Sequence, residues 1–349
     1  MLGKVQLFRP LDERLNLVIP IFFLLAVVAG LPGPAKVLSS DAAIGQLLSE
    51  ILVDVLLLNV THNAFTVMML VSFPEMREWL ARQNGGGAGF FKRAAAIFVG
   101  LFLLFALGIA GFVPYFREII LPLSRFFPIQ HALAQSLGLS LLYNGKAAAV
   151  GERPEKWLEK SERYLVWLLI GFMVSAVWVA TKFELAGLSF ERLSLKFVFS
   201  ASLAVSILLV VVALLHPKST RLNKAFFAIR YPVWALSVLS PLAVWATRAI
   251  HGLEYLFVVR KMASNSKFTA WKAVALYVLA VTFVFAILRV YYFSYVRPVI
   301  GRPNEGPDPL LILASISTAF SYLHYYLDRQ LFLMRRPDNR ELVAPLLRD

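Results

Sequence analysis

Stretches of about 20 apolar residues recur along the whole chain, and they restrict its possible folds more than any other feature. Hydrophobic residues make up 59% of the 349 residues, and charged residues only 16%. An apolar stretch of this length crosses the hydrocarbon core of a bilayer as an α-helix. The pattern therefore predicts an all-α, polytopic integral membrane helix bundle.

The apolar pattern predicts about nine transmembrane helices in a single transmembrane domain that covers residues 1–349. The predicted spans are Leu15–Leu31, Leu47–Phe73, Ala94–Tyr115, Ile119–Tyr143, Tyr164–Phe183, Phe197–Leu215, Tyr231–Val259, Trp271–Val296 and Leu310–Leu333. Pro241 interrupts the long seventh span. Connections between the spans are too short for a further domain of about 50 residues. Residues 334–349 form a short basic C-terminal tail.

The net charge of +14 comes from basic residues that cluster in short segments between the apolar stretches. This placement is typical of loops that face the cytoplasm and anionic lipid, and it argues against nucleic acid as a partner. We expect an integral protein of the bacterial inner (cytoplasmic) membrane, with its N-terminus in the cytoplasm. Nine spans cannot place every basic loop on one side, so the side of the C-terminus stays open.

The chain contains no cysteine. Iron–sulfur clusters held by thiolates, zinc sites with cysteine ligands, cysteine catalysis and disulfides are therefore excluded. A bound metal would need imidazole, carboxylate, phenolate or water as ligands.

Four of the five histidines lie deep inside predicted spans: His62, His131, His251 and His324. Ionisable residues in a span usually face the bundle interior and mark a functional site. Histidine is also the commonest metal ligand. We expect the four to converge on one buried metal site. Non-haem iron suits these ligands best, and haem b, copper, manganese or zinc stay possible.

Each histidine has polar neighbours on its own helix. Glu254 follows His251 by three residues, and Asp328 follows His324 by four. Thr66 follows His62, and Gln135 follows His131, also by four. A ligating imidazole usually donates its second N–H to such a group, which fixes the ring. The candidate catalytic residues are Glu254, Asp328 and Tyr325.

Other interpretations stay open at this point. Four histidines in spans can also hold two haems in a b-type cytochrome or quinol-linked redox subunit. Together with Glu254, they can also form the ion or proton path of a coupled transporter. Independent helix packing is a further role for each histidine.

The histidines, one on each of four separate helices, have sequence tracts around them that resemble a known family. The tracts are His251-Gly252-Leu253-Glu254-Tyr255 and His324-Tyr325-Tyr326-Leu327-Asp328. This layout is similar to that of the bacterial Brp/Blh-type carotenoid oxygenases, membrane proteins that cleave β-carotene to retinal. The resemblance implies oxygen-dependent chemistry on a lipid-soluble molecule at a non-haem iron.

We therefore expect an integral membrane metalloenzyme, a non-haem iron oxygenase whose hydrophobic substrate enters from the bilayer. Gly85-Gly86-Gly87 lies between predicted helices and lacks the strand–turn–helix context of a nucleotide site. Electrons, if the reaction needs them, must then come from a partner protein or a quinol.

Overall fold

The computed structural model describes residues 7–32, 61–114, 126–180, 192–267, 309–332 and 336–347, apart from short gaps at 84, 153–154 and 238–239. It also describes isolated residues at 45, 48, 116, 270, 272, 275 and 278. The regular structure of these residues is entirely helical, as the sequence predicts. The α-helices are α1 (Pro10–Val28), α2 (Thr61–Ser72), α3 (Pro74–Arg82), α4 (Gly86–Ile109), α5 (Phe126–Ala149), α6 (Lys156–Ala180), α7 (Arg192–Leu215), α8 (Arg221–Ala225), α9 (Tyr231–Leu236), α10 (Pro241–Asn265) and α11 (Pro309–Leu331).

Local sequence explains several helix ends. Proline stands at the first position of α1, α3 and α10, where its missing N–H is not needed. After α1, Gly30 adopts a left-handed φ of 69°, and the Leu31 N–H bonds back to the Ala26 carbonyl. This arrangement is a Schellman cap, which favours glycine at the left-handed position. Pro241 thus starts a helix at the place where the sequence predicted an interruption.

The chain divides into two compact units. Unit 1 contains residues 1–33 and 117–251, and unit 2 contains residues 34–116 and 252–349. The boundary falls within α10, whose first part belongs to unit 1 and whose second part belongs to unit 2.

A buried polar network joins the elements of unit 1. Glu13 of α1 accepts hydrogen bonds from the Leu7 and Phe8 amides and from the Tyr143 hydroxyl of α5. Arg230, in a π-helical turn before α9, donates to the backbone and side-chain oxygens of Asn16 at 2.8 and 2.5 Å. A buried charge is tolerated only when such partners satisfy it, so this network fixes α1 on α5 and α9.

Unit 2 is built around α11, which packs against α2 and α4. The Asn63 side chain of α2 donates to the Ser321 hydroxyl of α11 at 3.1 Å. Phe105 of α4 stacks on Tyr322 of α11, with ring centres 5.6 Å apart. These contacts set the position of α11 beside both helices.

The C-terminal residues 336–347 are folded against α3 within unit 2. They form a π-helical turn, Asn339–Val343, followed by a 3₁₀ turn, Ala344–Leu347. Asn339 is fully buried and accepts a 2.6 Å hydrogen bond from the Trp79 indole, and Glu341 pairs with Arg82. The described part of the predicted basic tail therefore has regular structure and packs on α3.

The expectation of nine transmembrane helices is not supported by the described residues. Two helices, Gly86–Gly108 and Leu242–Asn265, are long and apolar enough to cross a bilayer by length and composition. Charged residues near the starts of α1 and α6 leave shorter apolar segments in these two helices. The apolar segment of α7 is Ser200–Leu215, which is also shorter than a membrane span. About half of the predicted second span and most of the predicted eighth span lie outside the described residues.

Length and composition do not separate a membrane span from a buried core helix. The apolar window of α10 is 72% buried within the protein, whereas that of α4 is 17% buried. α10 therefore forms part of the protein core, and α4 presents an apolar surface.

Candidate metal centre

Two of the predicted ligands meet in unit 2. His62 of α2 and His324 of α11 are both buried, and their ring centres lie 4.7 Å apart at an angle of 77°. Tyr255 of α10 completes the group, with its ring centre 5.2 Å from that of His62 and 5.4 Å from that of His324. The nearby hydrogen bond from Asn63 to Ser321 sets the register between α2 and α11.

A chain of hydrogen bonds connects this group to a carboxylate. Nδ1 of His324 lies 2.7 Å from the Thr66 hydroxyl oxygen, and that hydroxyl donates to Oδ1 of Asp328 at 2.8 Å. The Tyr255 hydroxyl donates to the same Oδ1 at 3.0 Å and also contacts the Thr66 hydroxyl. Two hydroxyl groups therefore hold one oxygen of Asp328.

One proton arrangement satisfies every contact in this chain of hydrogen bonds. With both hydroxyl protons directed to Asp328, the Thr66 oxygen accepts from an Nδ1–H of His324. A neutral imidazole with its proton on Nδ1 carries a lone pair on Nε2. That Nε2 faces Oδ2 of Asp328 at 3.3 Å. Two lone pairs that face each other in a buried site require a cation or a proton between them.

The spacings suit a shared metal ion. Two ligand atoms about 2.1 Å from one metal, at an angle between octahedral and tetrahedral, lie about 3.0–3.4 Å apart. The distance from His324 Nε2 to Asp328 Oδ2, 3.3 Å, falls in that range. Two imidazoles on one such metal have ring centres roughly 4.6–5.3 Å apart, and the rings of His62 and His324 fit at 4.7 Å. His324 and Asp328 can thus share one metal ion, and the ring of His62 lies beside them.

The other two predicted ligands form a pair in unit 1. His131 of α5 and His251 of α10 are buried, with ring centres 5.2 Å apart and planes at 89°. Gln135, one turn after His131, donates to the backbone carbonyl of His251 at 3.0 Å. This bond holds α5 beside α10 at the level of the two rings, and the spacing again suits two imidazoles on one metal.

The remaining predicted residues occupy different positions. Asp328 lies at the centre of the hydrogen-bond chain in unit 2. Glu254 is buried on α10. Tyr325 is half-buried, and its ring packs at 5.7 Å on that of His324. Convergence of all four histidines on one site concerns residues of both units and stays a prediction.

Two residues of the site have contacts that the sequence did not predict. Thr66 was expected only to orient His62, and Tyr255 was noted only as part of the tract after His251. A hydroxyl residue four positions after a histidine is the signal they share. However, that spacing places each on the face of its own histidine, whereas both hydroxyls bind Asp328 of another helix.

Comparison with protein-family models, curated proteins and solved structures finds no significant match. The resemblance to carotenoid oxygenases stays a prediction from the sequence.

Proposed function

We propose that this protein is an integral membrane metalloenzyme whose metal ion is held in unit 2 by His324 and Asp328, with His62 as the further proposed ligand. The observation that carries the proposal is the approach of His324 Nε2 to Asp328 Oδ2 at 3.3 Å. Hydrogen bonds to Thr66 and Tyr255 occupy the other nitrogen and the other oxygen. The two facing atoms are thereby left to share a proton or a cation, and we propose a metal ion.

We infer that the ion is iron(II). Two imidazoles and one carboxylate on one side of a metal, with open positions opposite, are the ligand set of non-haem iron(II) oxygenases. When bound, iron(II) supplies a site that binds and activates dioxygen. The resemblance to membrane carotenoid oxygenases supports the same reaction class and a lipid-soluble substrate. A partner protein or a quinol would supply electrons if the reaction needs them.

The protein's own groups hold and shield this site. Thr66 and Tyr255 fix one oxygen of Asp328, which leaves the other to the ion. His62 and His324 are 2% and 0% exposed, so bulk water has little access to their rings. The hydrogen bond between Nδ1 of His324 and the Thr66 hydroxyl would raise the basicity of Nε2, the proposed ligand atom, and fix the tautomer of the ring.

His131 and His251 are kept as further candidate ligands, and Glu254 and Tyr325 as catalytic candidates. The spacing of the two histidine rings, 5.2 Å, equally suits metal binding. Glu254 is buried, and a buried carboxylate needs a cation or donors nearby. The half-buried Tyr325 packs on a proposed ligand and carries a hydroxyl that can exchange a proton.

Membrane insertion is supported by apolar surfaces on several helices. α1 exposes Leu11, Val18, Phe22 and Leu25, which share one face at spacings of three, four and seven residues. α4 carries a 23-residue apolar window that is 17% buried. Contiguous apolar surfaces of this kind mark contact with a membrane or another protein. We propose a polytopic protein of the bacterial inner membrane with a cytoplasmic N-terminus.

The ring spacings argue against haem within either histidine pair. Two imidazoles on opposite faces of a haem, each with its nitrogen about 2 Å from the iron, have ring centres roughly 6 Å or more apart. The pairs in units 1 and 2 are closer, at 5.2 and 4.7 Å. Non-haem metal therefore fits these pairs better than the cytochrome alternative.

Metal analysis of the purified full-length protein tests the proposal. We expect about one equivalent of iron or more, no Soret band, and loss of the unit 2 ion in His62→Ala and His324→Ala. His216→Ala is the matched control, since His216 follows α7 and contacts Glu155 and Trp157 instead. Full metal content in both histidine variants would overturn the proposal, and stoichiometric haem would favour a cytochrome.

A further inference from the structure

An apolar groove runs along the surface of unit 1 between α6 and α7. Its volume is about 520 Å³, which lies within the range of small-molecule sites. Its walls are almost entirely apolar and include Trp167 and Gly171 of α6 and Val205 and Leu209 of α7. Tyr164 to Gly171 covers about 10 Å along the helix axis. The groove therefore has the volume and length to take a segment of an alkyl chain.

Two aromatic residues stand at the N-terminal end of this groove. Tyr164 is 66% exposed and Trp167 is 59% exposed. Large amphipathic rings are enriched at the boundary between hydrocarbon and headgroups, where one end stays apolar and the other wet. Their position indicates that the headgroup level lies near the start of α6.

Basic side chains precede these aromatic rings on the same helix. Lys160 stands four residues before Tyr164, and Arg163 stands four residues before Trp167, so each shares a face with one ring. Both basic residues are exposed. A positive charge one turn beyond an aromatic ring matches the phosphate of a lipid whose alkyl chain follows the groove.

Two nearby carboxylates are engaged elsewhere. Glu155 binds the ammonium of Lys218 and the indole N–H of Trp157, each at 2.7 Å. Glu162 is buried and accepts a 2.6 Å hydrogen bond from the Tyr231 hydroxyl. Glu159 is half-buried on the same helix, one residue before Lys160 and four before Arg163. The exposed end of α6 thus keeps a positive surface.

We propose that this groove binds one anionic phospholipid, with an acyl chain between α6 and α7 and its phosphate on Lys160 and Arg163. The proposal is independent of the metal centre. It adds a lipid-binding site, and it predicts that this protein prefers anionic over zwitterionic phospholipids.

Native mass spectrometry of the full-length protein tests the site. The probes are phosphatidylglycerol and phosphatidylcholine, added separately to delipidated protein in detergent. We expect one phosphatidylglycerol molecule to be retained at least about tenfold more strongly than phosphatidylcholine. The double variant Lys160→Gln/Arg163→Gln should remove the preference, and Lys92→Gln/Arg93→Gln, on exposed residues of α4, should keep it.

A second variant blocks the groove and leaves the basic residues Lys160 and Arg163 unchanged. A Cβ at Gly171 meets no atom within 4 Å, so Gly171→Phe can place its ring in the groove. Retention of phosphatidylglycerol should then fall about tenfold. Gly100→Phe on α4 is the matched control, because Gly100 has the same open surroundings. Thermal unfolding of each variant verifies that it is folded.

Three results would overturn the proposal. The first is equal retention of phosphatidylglycerol and phosphatidylcholine by the wild type, and the second is undiminished retention of phosphatidylglycerol in Gly171→Phe. The third is a dimer whose cross-links at Trp167 show that a second copy of the chain covers the groove.

Discussion

Nε2 of His324 lies 3.3 Å from Oδ2 of Asp328, one turn later on the same helix, and both side chains are buried. The i, i+4 spacing brings the two groups together in any α-helix. Contacts from other helices determine which atoms face each other, because Thr66 and Tyr255 occupy Oδ1 and Thr66 occupies Nδ1. Nε2 of His324 and Oδ2 of Asp328 are therefore the two atoms that face the proposed metal ion.

Removal of the hydroxyls of Thr66 or Tyr255 should weaken metal binding without abolishing it. Thr66→Val and Tyr255→Phe leave all three proposed ligands in place but release Oδ1 of Asp328. We expect metal affinity to fall about 10–100-fold, as for other groups that orient ligands. Titration of the metal-free protein with iron(II) measures this.

Tyr326→Phe is the control for these two variants. Tyr326 lies on α11 and stacks on Phe90 rather than on the proposed ligands. It should keep the affinity of the wild type. Equal losses in all three variants would indicate a general packing effect and contradict the assigned roles.

The four histidines can be sorted by metal stoichiometry. If His131 and His251 ligate the same ion as His62 and His324, alanine at any of the four should remove one and the same ion. If they form a separate site, the wild type holds two ions and each variant retains one. Retention of all the metal in His131→Ala and His251→Ala would reject both as ligands.

Gly108 is required by a close approach between α4 and Phe116. A Cβ at Gly108 would lie 2.1 Å from the Phe116 ring, which is 2% exposed. Gly108→Ala should therefore destabilise unit 2 by about 1–3 kcal/mol, as overpacking does. Thermal unfolding in detergent measures the change.

The control for overpacking is Gly100→Ala in the same helix. Because a Cβ at Gly100 meets no atom within 4 Å, alanine should stabilise the helix by about 0.5–1 kcal/mol. Equal effects at both glycines would contradict the packing argument. A double variant with Phe116→Ala should lose the additional cost of Gly108→Ala.

Glu162 should make the stability of unit 1 depend on pH. Burial raises the pKa of this carboxyl from 4.5 to about 7. The folded state then keeps a proton that the unfolded chain releases, so stability falls as pH rises between about 4.5 and 7. The full loss is at most about 3 kcal/mol.

Glu162→Gln tests this dependence. The variant should match the wild type near pH 4.5 and unfold at a higher temperature near pH 8, whereas Glu159→Gln should keep the wild-type profile. Wild-type stability that rises from pH 5 to 7, with no difference in Glu162→Gln, would contradict a buried carboxyl with a raised pKa.

Much of the helical architecture was predictable, because apolar periodicity and proline positions are local signals. The helix breaks at Pro241, where the predicted seventh span was expected to be interrupted, and the predicted ninth span matches α11 closely. The number of membrane spans was not predictable in this way. α4 and α10 are both long and apolar enough to cross a bilayer, yet the apolar window of α4 is 17% buried and that of α10 is 72% buried. That difference depends on tertiary packing, which an apolar count does not contain.

The candidate site was predictable in its residue types but not in its pairing. His62, His324 and Asp328 were singled out because ionisable groups in apolar segments need partners. The division of the histidines into a His62–His324 pair and a His131–His251 pair depends on which helices pack together. The link from Thr66 to Asp328 joins residues 262 positions apart, so no local spacing could indicate it.

X-ray absorption at the metal edge of the purified protein tests the proposed metal centre. We expect a first shell of nitrogen and oxygen at about 2.0–2.2 Å with multiple scattering from at least two imidazoles. Asp328→Asn should alter this shell, and His216→Ala should leave it unchanged. A protein that binds no metal when iron(II), manganese, copper and zinc are each supplied would contradict a metal centre of this kind. So would a first shell that is unchanged in a His62→Ala/His324→Ala double variant.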